Sequence, residues 1–358
     1  MSAAALPRGG PGRRLAAALA RLLPPGSPLH APELGPAERE AVADCLASGW
    51  VSYAAPQVRA FEADLARHLG TADAVATCSG TAALHLALAS LGVGPGDEVL
   101  MPALTFVATA NAARYCGAEP HFVDVEPETL GVDPEALARH LARTAAPDGR
   151  GGARDRRTGR RLAALVVVHA FGRPALMEGL REVAGRFGLP VVEDAAQALG
   201  SARGDTPAGR LGRLAAFSFN GNKVITAGGG GALVGGDRAL LERARHLATT
   251  ARRPHPWRLE HDAVGFNYRM PGLNAALARA QLGRLPGLLA RKEALAARYR
   301  EALAGLATFL EARPAWTPLH RLPMYRDRPR AALPVTEAAA RELLCLPSGP
   351  GLAEALRG

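Results

Sequence analysis

The chain has 358 residues, 48% hydrophobic and 21% charged, a balance that excludes a disordered protein and gives room for about two domains with a large buried core. Its longest apolar runs, such as Leu162 to Val168, fall far short of the ~20 residues that span a bilayer. The net charge of +10 suits a phosphate-bearing partner, nucleic acid or nucleotide, without choosing between them. Of the 43 basic residues only Lys223 and Lys292 are lysine, so much of the basicity reads as an arginine habit of the coding sequence. Four scattered cysteines, with no CxxC and no histidine at ligand spacing, argue against a disulfide framework or zinc site, and a reducing cytoplasm is expected.

In chain order, Arg13 and Arg14 precede LAAALA, but Arg21 interrupts that run. Leu15 to Leu23 therefore reads as a short amphipathic helix closed by Pro24, Pro25 and Gly26 rather than an export signal. From about Ala37 helical and strand-like segments alternate as in an α/β protein with a mostly parallel sheet. Helices are expected at 37–47, 57–69, 81–91, 106–116, 134–143, 175–187 and 238–249. Between them EVLMP, PHFVDV, ALVVVHAF, PVVED, AAFSF and GALVGG suit buried strands. The Arg- and Gly-rich stretch 145–161 is expected as an exposed loop or hairpin with a solvated charge run. A long helix, kinked near Pro286, is expected from Leu273 to about Ala312, with an apolar stripe through Leu288, Leu295, Tyr299 and Leu303. This gives an extension (1–28), a large domain (29–250) and a small domain (251–358).

Ligands of open α/β sheets bind beyond the carboxyl ends of the strands. There PVVED ends in Asp194, ALVVVHAF carries His169, and AAFSF leads through NGN to Lys223 and the glycines 228–231. CSGT, at 78–81, opens a helix whose first N–H groups can hold a phosphate. Lys223 stands out because arginine cannot form a Schiff base and a partly desolvated lysine can. Asp194 either caps the next helix or pairs with a pyridinium nitrogen. A phosphate site, a strand-end Asp and a Lys beyond the next strand together make the set a pyridoxal phosphate (PLP) enzyme requires. There is no GxGxxG and no GxxxxGK followed by Ser or Thr, which disfavours a nicotinamide or P-loop enzyme. Lys292, in an Arg-Lys-Glu run, reads as solvated, and Cys78 as a packing residue. His169 is either a cofactor contact or a buried histidine bonded to a backbone carbonyl.

The stretches SGTAALHLALASLGVGPGDEV, PALTFVATANAA, FVDVEPETL, VVEDAAQALGS, FSFNGNKVITAGGGGALV and VGFNYRMPGLNAALARAQL resemble the DegT/DnrJ/StrS sugar aminotransferases. PLHAPELG, GWVS and SFNGNK most resemble the LegC-like branch. The likeness runs from about Leu29 to Gln281 and resumes at RPAWTPLHRLPMY. It implies a fold-type I α/β transferase with PLP as cofactor, in which Lys223 forms the Schiff base and shuttles a proton, and Asp194 pairs with the ring nitrogen. It further implies that Phe106 stacks on the ring and Gln197 lies near its phenolic oxygen. Gly80, Thr81 and Ser218 would hold the phosphate, with Asn267 arriving from a second subunit of a homodimer. The implied reaction aminates a nucleotide-linked 4-keto-6-deoxy sugar, a UDP-N-acetylhexosamine derivative in that branch, with glutamate as donor. Retention of Lys223 favours transamination over the dehydratases of the family, which replace that lysine with histidine.

Two departures stand out. Ala55 occupies a loop position that is usually glycine. Near 309–314 the chain lacks several tens of residues that form small-domain strands in relatives. The second departure raises the alternative of a truncated or non-catalytic homologue that keeps PLP binding or dimerisation. It also predicts that Leu295, Tyr299 and Leu303 are left exposed.

Overall fold

The computed structural model of the chain describes residues 19, 22–24, 26–303, 316–343 and 345–355. Its centre is a sheet built from short apolar strands: β1 (Asp73–Thr77), β2 (Asp97–Pro102), β3 (Glu119–Val123), β6 (Arg161–Val168), β7 (Val191–Asp194), β10 (Leu214–Ser218) and β11 (Gly231–Gly235). The order across it is β1-β11-β10-β7-β6-β2-β3. Every neighbouring pair from β10 to β3 is parallel, while β11 runs antiparallel between β1 and β10. A hairpin of β4 (Ala145–Pro147) and β5 (Ala153–Asp155) pairs antiparallel with β6, and a small ribbon of β8 (Ala202–Arg203) and β9 (Thr206–Pro207) stands apart. The strands are buried almost throughout because helices cover both faces, as a mostly parallel sheet demands.

The helices start where the sequence supplies caps. In α1 (Pro36–Ser48), α2 (Pro56–Leu69) and α5 (Pro134–Thr144) proline fills the first turn, where its missing N–H has no helical partner to lose. Ser79 caps α3 (Gly80–Ser90), Asp133 caps α5, and Asp237 caps α7 (Arg238–Ala248), each side-chain oxygen accepting an N–H of the first turn. The expected helix at 106–116 is the shorter α4 (Ala108–Tyr115), which leaves Phe106 on a loop, and that at 175–187 is α6 (Met177–Arg186).

The long helix α8 (Gly272–Ala302) runs through Pro286 and stops ten residues before the expected end. Its first half packs on the core of the sheet: Leu282, Leu285 and Leu288 lie in one cluster with Phe61, Leu65, Phe217 and Phe219. Beyond Lys292 the partners change. Leu295, Tyr299 and Leu303 are only 2–5% exposed, which corrects the expectation that they lie open. They pack with Leu346 and against Leu19, Leu22, Leu23 and Leu352, so the two terminal segments close over this face, at about 1.5–3 kcal/mol of stabilisation per large apolar side chain. The C-terminal part adds α9 (Pro334–Glu342) and α10 (Leu352–Ala355). The shortening expected near 309–314, and most of the helix expected at 15–23, lie outside the described residues.

The stretch 145–161 is the expected hairpin, and Arg154, Arg156 and Arg157 are solvated. Asp155 is the exception to the solvated charge run. It is 1% exposed, accepts the N–H groups of Arg157 and Thr158, and stands beside a buried group formed by Glu98, His121 and His140.

Candidate active site

Register brings the site together. At its first residue β11 pairs Gly231 with Thr77 on one side and Ser218 on the other, so the N-terminus of α3 meets the end of β10. A Cβ on Gly231 would stand 2.5 Å from the carbonyl of Ser79, and a Cβ on Gly80 would stand 2.8 Å from Cβ of Ser218. Glycine is therefore required at both positions for the close approach. With the Ser79 hydroxyl accepting from Ala82 N–H, the amides of Gly80 and Thr81 open the helix without intrahelical acceptors, beside the half-buried Ser218 hydroxyl. The result is a cradle for an anion at a helix N-terminus.

Opposite it, β6, β7 and β10 end in line, with Asp194 paired to Val168 and Ala216. Asp194 is buried, and its carboxylate accepts from the Thr109 hydroxyl at 2.7 Å and the Ala196 N–H at 3.2 Å. Burial raises its pKa, against the pull of those two bonds and of the Lys223 charge. A buried carboxylate held up in this way gains from a cation placed against it.

The neighbouring residue on the strand is a partner of His169. Nδ1 of His169 accepts the Ala175 N–H at 3.1 Å, so Nε2 carries the proton and donates to Glu193 at 2.8 Å. Glu193 also accepts the N–H groups of Gly209, Leu211 and Gly212. Burial pushes its carboxyl up, but these bonds outweigh it and hold the pKa below the usual range. Both ring nitrogens of His169 are thus engaged, with a carboxylate and a backbone amide rather than a carbonyl, and it walls the cavity without a free polar atom for a ligand.

Between cradle and carboxylate lies a cavity of about 380 Å³ lined by Gly80, Thr81, Thr105, Phe106, His169, Asp194, Gln197, Ser218, Lys223 and Trp316, among others. Phe106 is 56% exposed at its mouth, and Lys223 sits in the turn after β10, its N–H bonded to the Asn220 carbonyl. Gln197 Oε1 accepts the Phe171 N–H, which leaves its amide N–H groups as donors. Cys78 corrects the packing expectation: it is exposed at the same mouth, and desolvation still pushes its thiol up, so it stays protonated. Asn267 is exposed and away from this cavity.

Four contributors, Thr105, Thr109, Phe171 and Trp316, escaped the sequence reading. Thr109 reaches Asp194 from the first turn of α4, and the Thr105 and Thr109 hydroxyls lie 3.0 Å apart. Trp316 stacks on Phe171 with ring centres 4.5 Å apart and planes at 12°. Phe171 holds a left-handed backbone (φ 55°), a strain of about 1–3 kcal/mol that the Gln197 bond and the Trp316 stack offset. Lys292, read as solvated, is half-buried and bonded to the Ser348 carbonyl. The residues fit PLP: an anion cradle, an aromatic face, an amine and a buried carboxylate line one cavity, the groups that its phosphate, ring, aldehyde and ring nitrogen call for.

Comparison with known proteins agrees. The model of the DegT/DnrJ/EryC1/StrS aminotransferase family matches residues 32–315. A protein described as a pyridoxal phosphate-dependent aminotransferase, EpsN of Bacillus subtilis (strain 168), is 34% identical over 371 residues, covering 92% of each chain. That alignment is longer than the present chain, so it contains positions this chain lacks. GDP-perosamine synthase of Caulobacter vibrioides is 34% identical, covering 91% of this chain and 94% of its own. Among solved structures, DesI in the presence of its TDP-sugar product superposes with a TM-score of 0.79 at 32% identity, covering 94% of this chain and 92% of that one. The chain belongs to the DegT/DnrJ/EryC1/StrS aminotransferase family and is a transaminase with pyridoxal phosphate as its cofactor.

Proposed function

We propose that the protein transfers an amino group from glutamate to the 4-keto carbon of a nucleotide-linked 4-keto-6-deoxy sugar. The observation that carries the reading is the position of Lys223, which lines both the cofactor cavity and a second, larger cavity of about 660 Å³ with room for a sugar nucleotide. Bound PLP supplies the electron sink that lets an amino group leave one carbon and join another. The chain's residues do the rest. Gly80, Thr81 and Ser218 bind the phosphate and fix the ring's place. The Asp194 carboxylate holds a proton on the ring nitrogen, Phe106 covers the ring face, and Gln197 donates toward the phenolic oxygen. Lys223 Nζ would take up and return the proton at the substrate carbon.

The LegC-like stretches support a UDP-N-acetylhexosamine derivative as acceptor. The likeness to a GDP-perosamine synthase supports a GDP-linked sugar as the second reading. The assembly that suits the exposed Asn267 is a cytoplasmic homodimer in which Asn267 of one chain completes the other's phosphate site. In this reading 29–250 form the large domain and 251–358 a small domain shortened near 309–314. No described helix is long and apolar enough to cross a membrane.

Protein loaded with PLP is expected to show visible absorbance that bleaches with glutamate and returns with the acceptor. Lys223→Ala is expected to lose both signals. A panel of UDP-, GDP- and TDP-linked 4-keto sugars identifies the acceptor, and failure of all three to restore absorbance would sink the sugar assignment.

A further inference from the structure

The second cavity carries a charge pattern of its own. Among the described residues its cationic lining is Arg173, Lys223, Lys292 and Arg300, and none of the described lining residues is Asp or Glu. Both lysines of the chain stand in this one wall, in a sequence that otherwise uses arginine. Lys292, Ala296 and Arg300 recur at helical spacing along one face of α8, with Leu295 and Tyr299 beside them.

The tail segment fixes that face. Tyr299 Oη donates to the Pro347 carbonyl at 2.8 Å, and Lys292 Nζ donates to the Ser348 carbonyl, so the ammonium is held at the cavity wall instead of extending into water. His30 fills the gap between the lysines, its ring bonded to the backbone at Lys223 and Ser348. Burial, with the Lys292 and Lys223 charges, pulls its pKa to about 4, so it is neutral here and adds no counter-charge. Burial also draws Lys292 down to about 8, which leaves a largely protonated, poorly hydrated cation at neutral pH.

We propose that Lys292, assisted by Arg300, is the anion-binding residue of the acceptor site: it takes the diphosphate of the nucleotide sugar while the sugar ring reaches Lys223. The inference rests on the proposed acceptor class and adds the residue that selects it. A volume of about 660 Å³ suits a sugar diphosphate better than a five-carbon dicarboxylate, the other anion this enzyme meets.

The test is titration calorimetry of UDP and of GDP into PLP-loaded wild type, Lys292→Met, Lys292→Arg and Arg300→Met, with melting temperatures confirming the fold. Lys292→Met is expected to weaken binding of the better nucleoside diphosphate about 10-fold or more, and Lys292→Arg to recover most of it. Arg300→Met, at the exposed rim, is expected to lose about 3-fold and stands in if Lys292→Met does not fold. The glutamate concentration that half-bleaches the cofactor is expected to stay unchanged in all three variants. Equal nucleotide affinity in wild type and Lys292→Met overturns the proposal. So does a rise in that glutamate concentration alone, which would assign the subsite to the dicarboxylate. A wild type that binds nucleoside diphosphate through Lys292 yet aminates no 4-keto sugar would refute the proposed reaction and leave the anion subsite standing.

Discussion

Two buried histidine–glutamate pairs stand at opposite parts of the same sheet. His169 and Glu193 lie at the carboxyl ends of β6 and β7, 2.8 Å apart, directly behind Asp194. His121 and Glu98 lie on β3 and β2 at the sheet's edge, 2.7 Å apart, where Thr158 and Asp155 from the hairpin close over them. All four side chains are fully buried, so burial and pairing by themselves do not mark a catalytic group. What separates the pairs is the set of donors around each carboxylate. Glu193 accepts only N–H groups, two on each oxygen, three of them from the backbone at 209–212, and this locks the strand end that presents Asp194. Glu98 accepts one ring N–H and one hydroxyl, with Arg160 3.7 Å away, and ties a hairpin to the sheet far from the cavity.

The difference predicts unequal responses to the same substitution. In Glu193→Gln the new NH2 group faces N–H donors whichever way the amide turns, so the two donors on that side lose their acceptor inside the core. A loss of about 3 kcal/mol in stability is expected, read from urea unfolding of the PLP-free protein. Asp194 shifts with the strand end, so PLP affinity is expected to fall as well. In Glu98→Gln the amide oxygen keeps the His121 bond, and the NH2 donates to the Thr158 hydroxyl, which can rotate to accept. That variant is expected to lose only about 1 kcal/mol and to load PLP normally. Equal losses in both variants would show that the count of N–H donors does not govern these pairs.

Much of this arrangement is legible in the sequence. The apolar strands and the capped helices between them place Asp194, Ser218 and Lys223 at one end of the sheet, and the structure brings them into one cavity with Gly80, Thr81, Phe106 and Gln197. DAVAT, which forms β1, escaped notice because alanine and aspartate have little strand propensity; its pairing with Gly231–Gly235 makes it a strand. Thr109 and Trp316 carry no charge to mark them, and their roles depend on partners 85 positions away for Thr109 and across the end of the sheet for Trp316. Lys292 was misread for a related reason. Its helical run looks like a solvated face, and only the return of residues 345–348 makes that face a cavity wall. The same return, with Leu19, Leu22 and Leu23, covers Leu295 and Tyr299, which local periodicity marks as apolar without naming what covers them.

The smallest expected effect concerns protons at the sheet's edge. His140 Nε2 lies 2.8 Å from Nε2 of His121, and burial, helped by the neighbouring His121, Arg157 and Arg143 charges against that of Asp155, pulls its pKa from an ordinary 6.5 to about 4. The unfolded chain takes up this proton near pH 6.5 and the folded chain only near 4, so the stability due to a neutral His140 is present above 6.5 and is lost as pH falls toward 4. His140→Gln removes that group while keeping an amide to face His121. Between pH 7 and 5 its urea midpoint is expected to move less than that of the wild type. Some dependence remains, because His30 at the second cavity also titrates near 4. The rate of cofactor bleaching by glutamate at pH 7 is expected to be the same in both proteins, since the edge cluster makes no contact with the site; an identical pH slope in the two would instead place the proton uptake elsewhere in the fold.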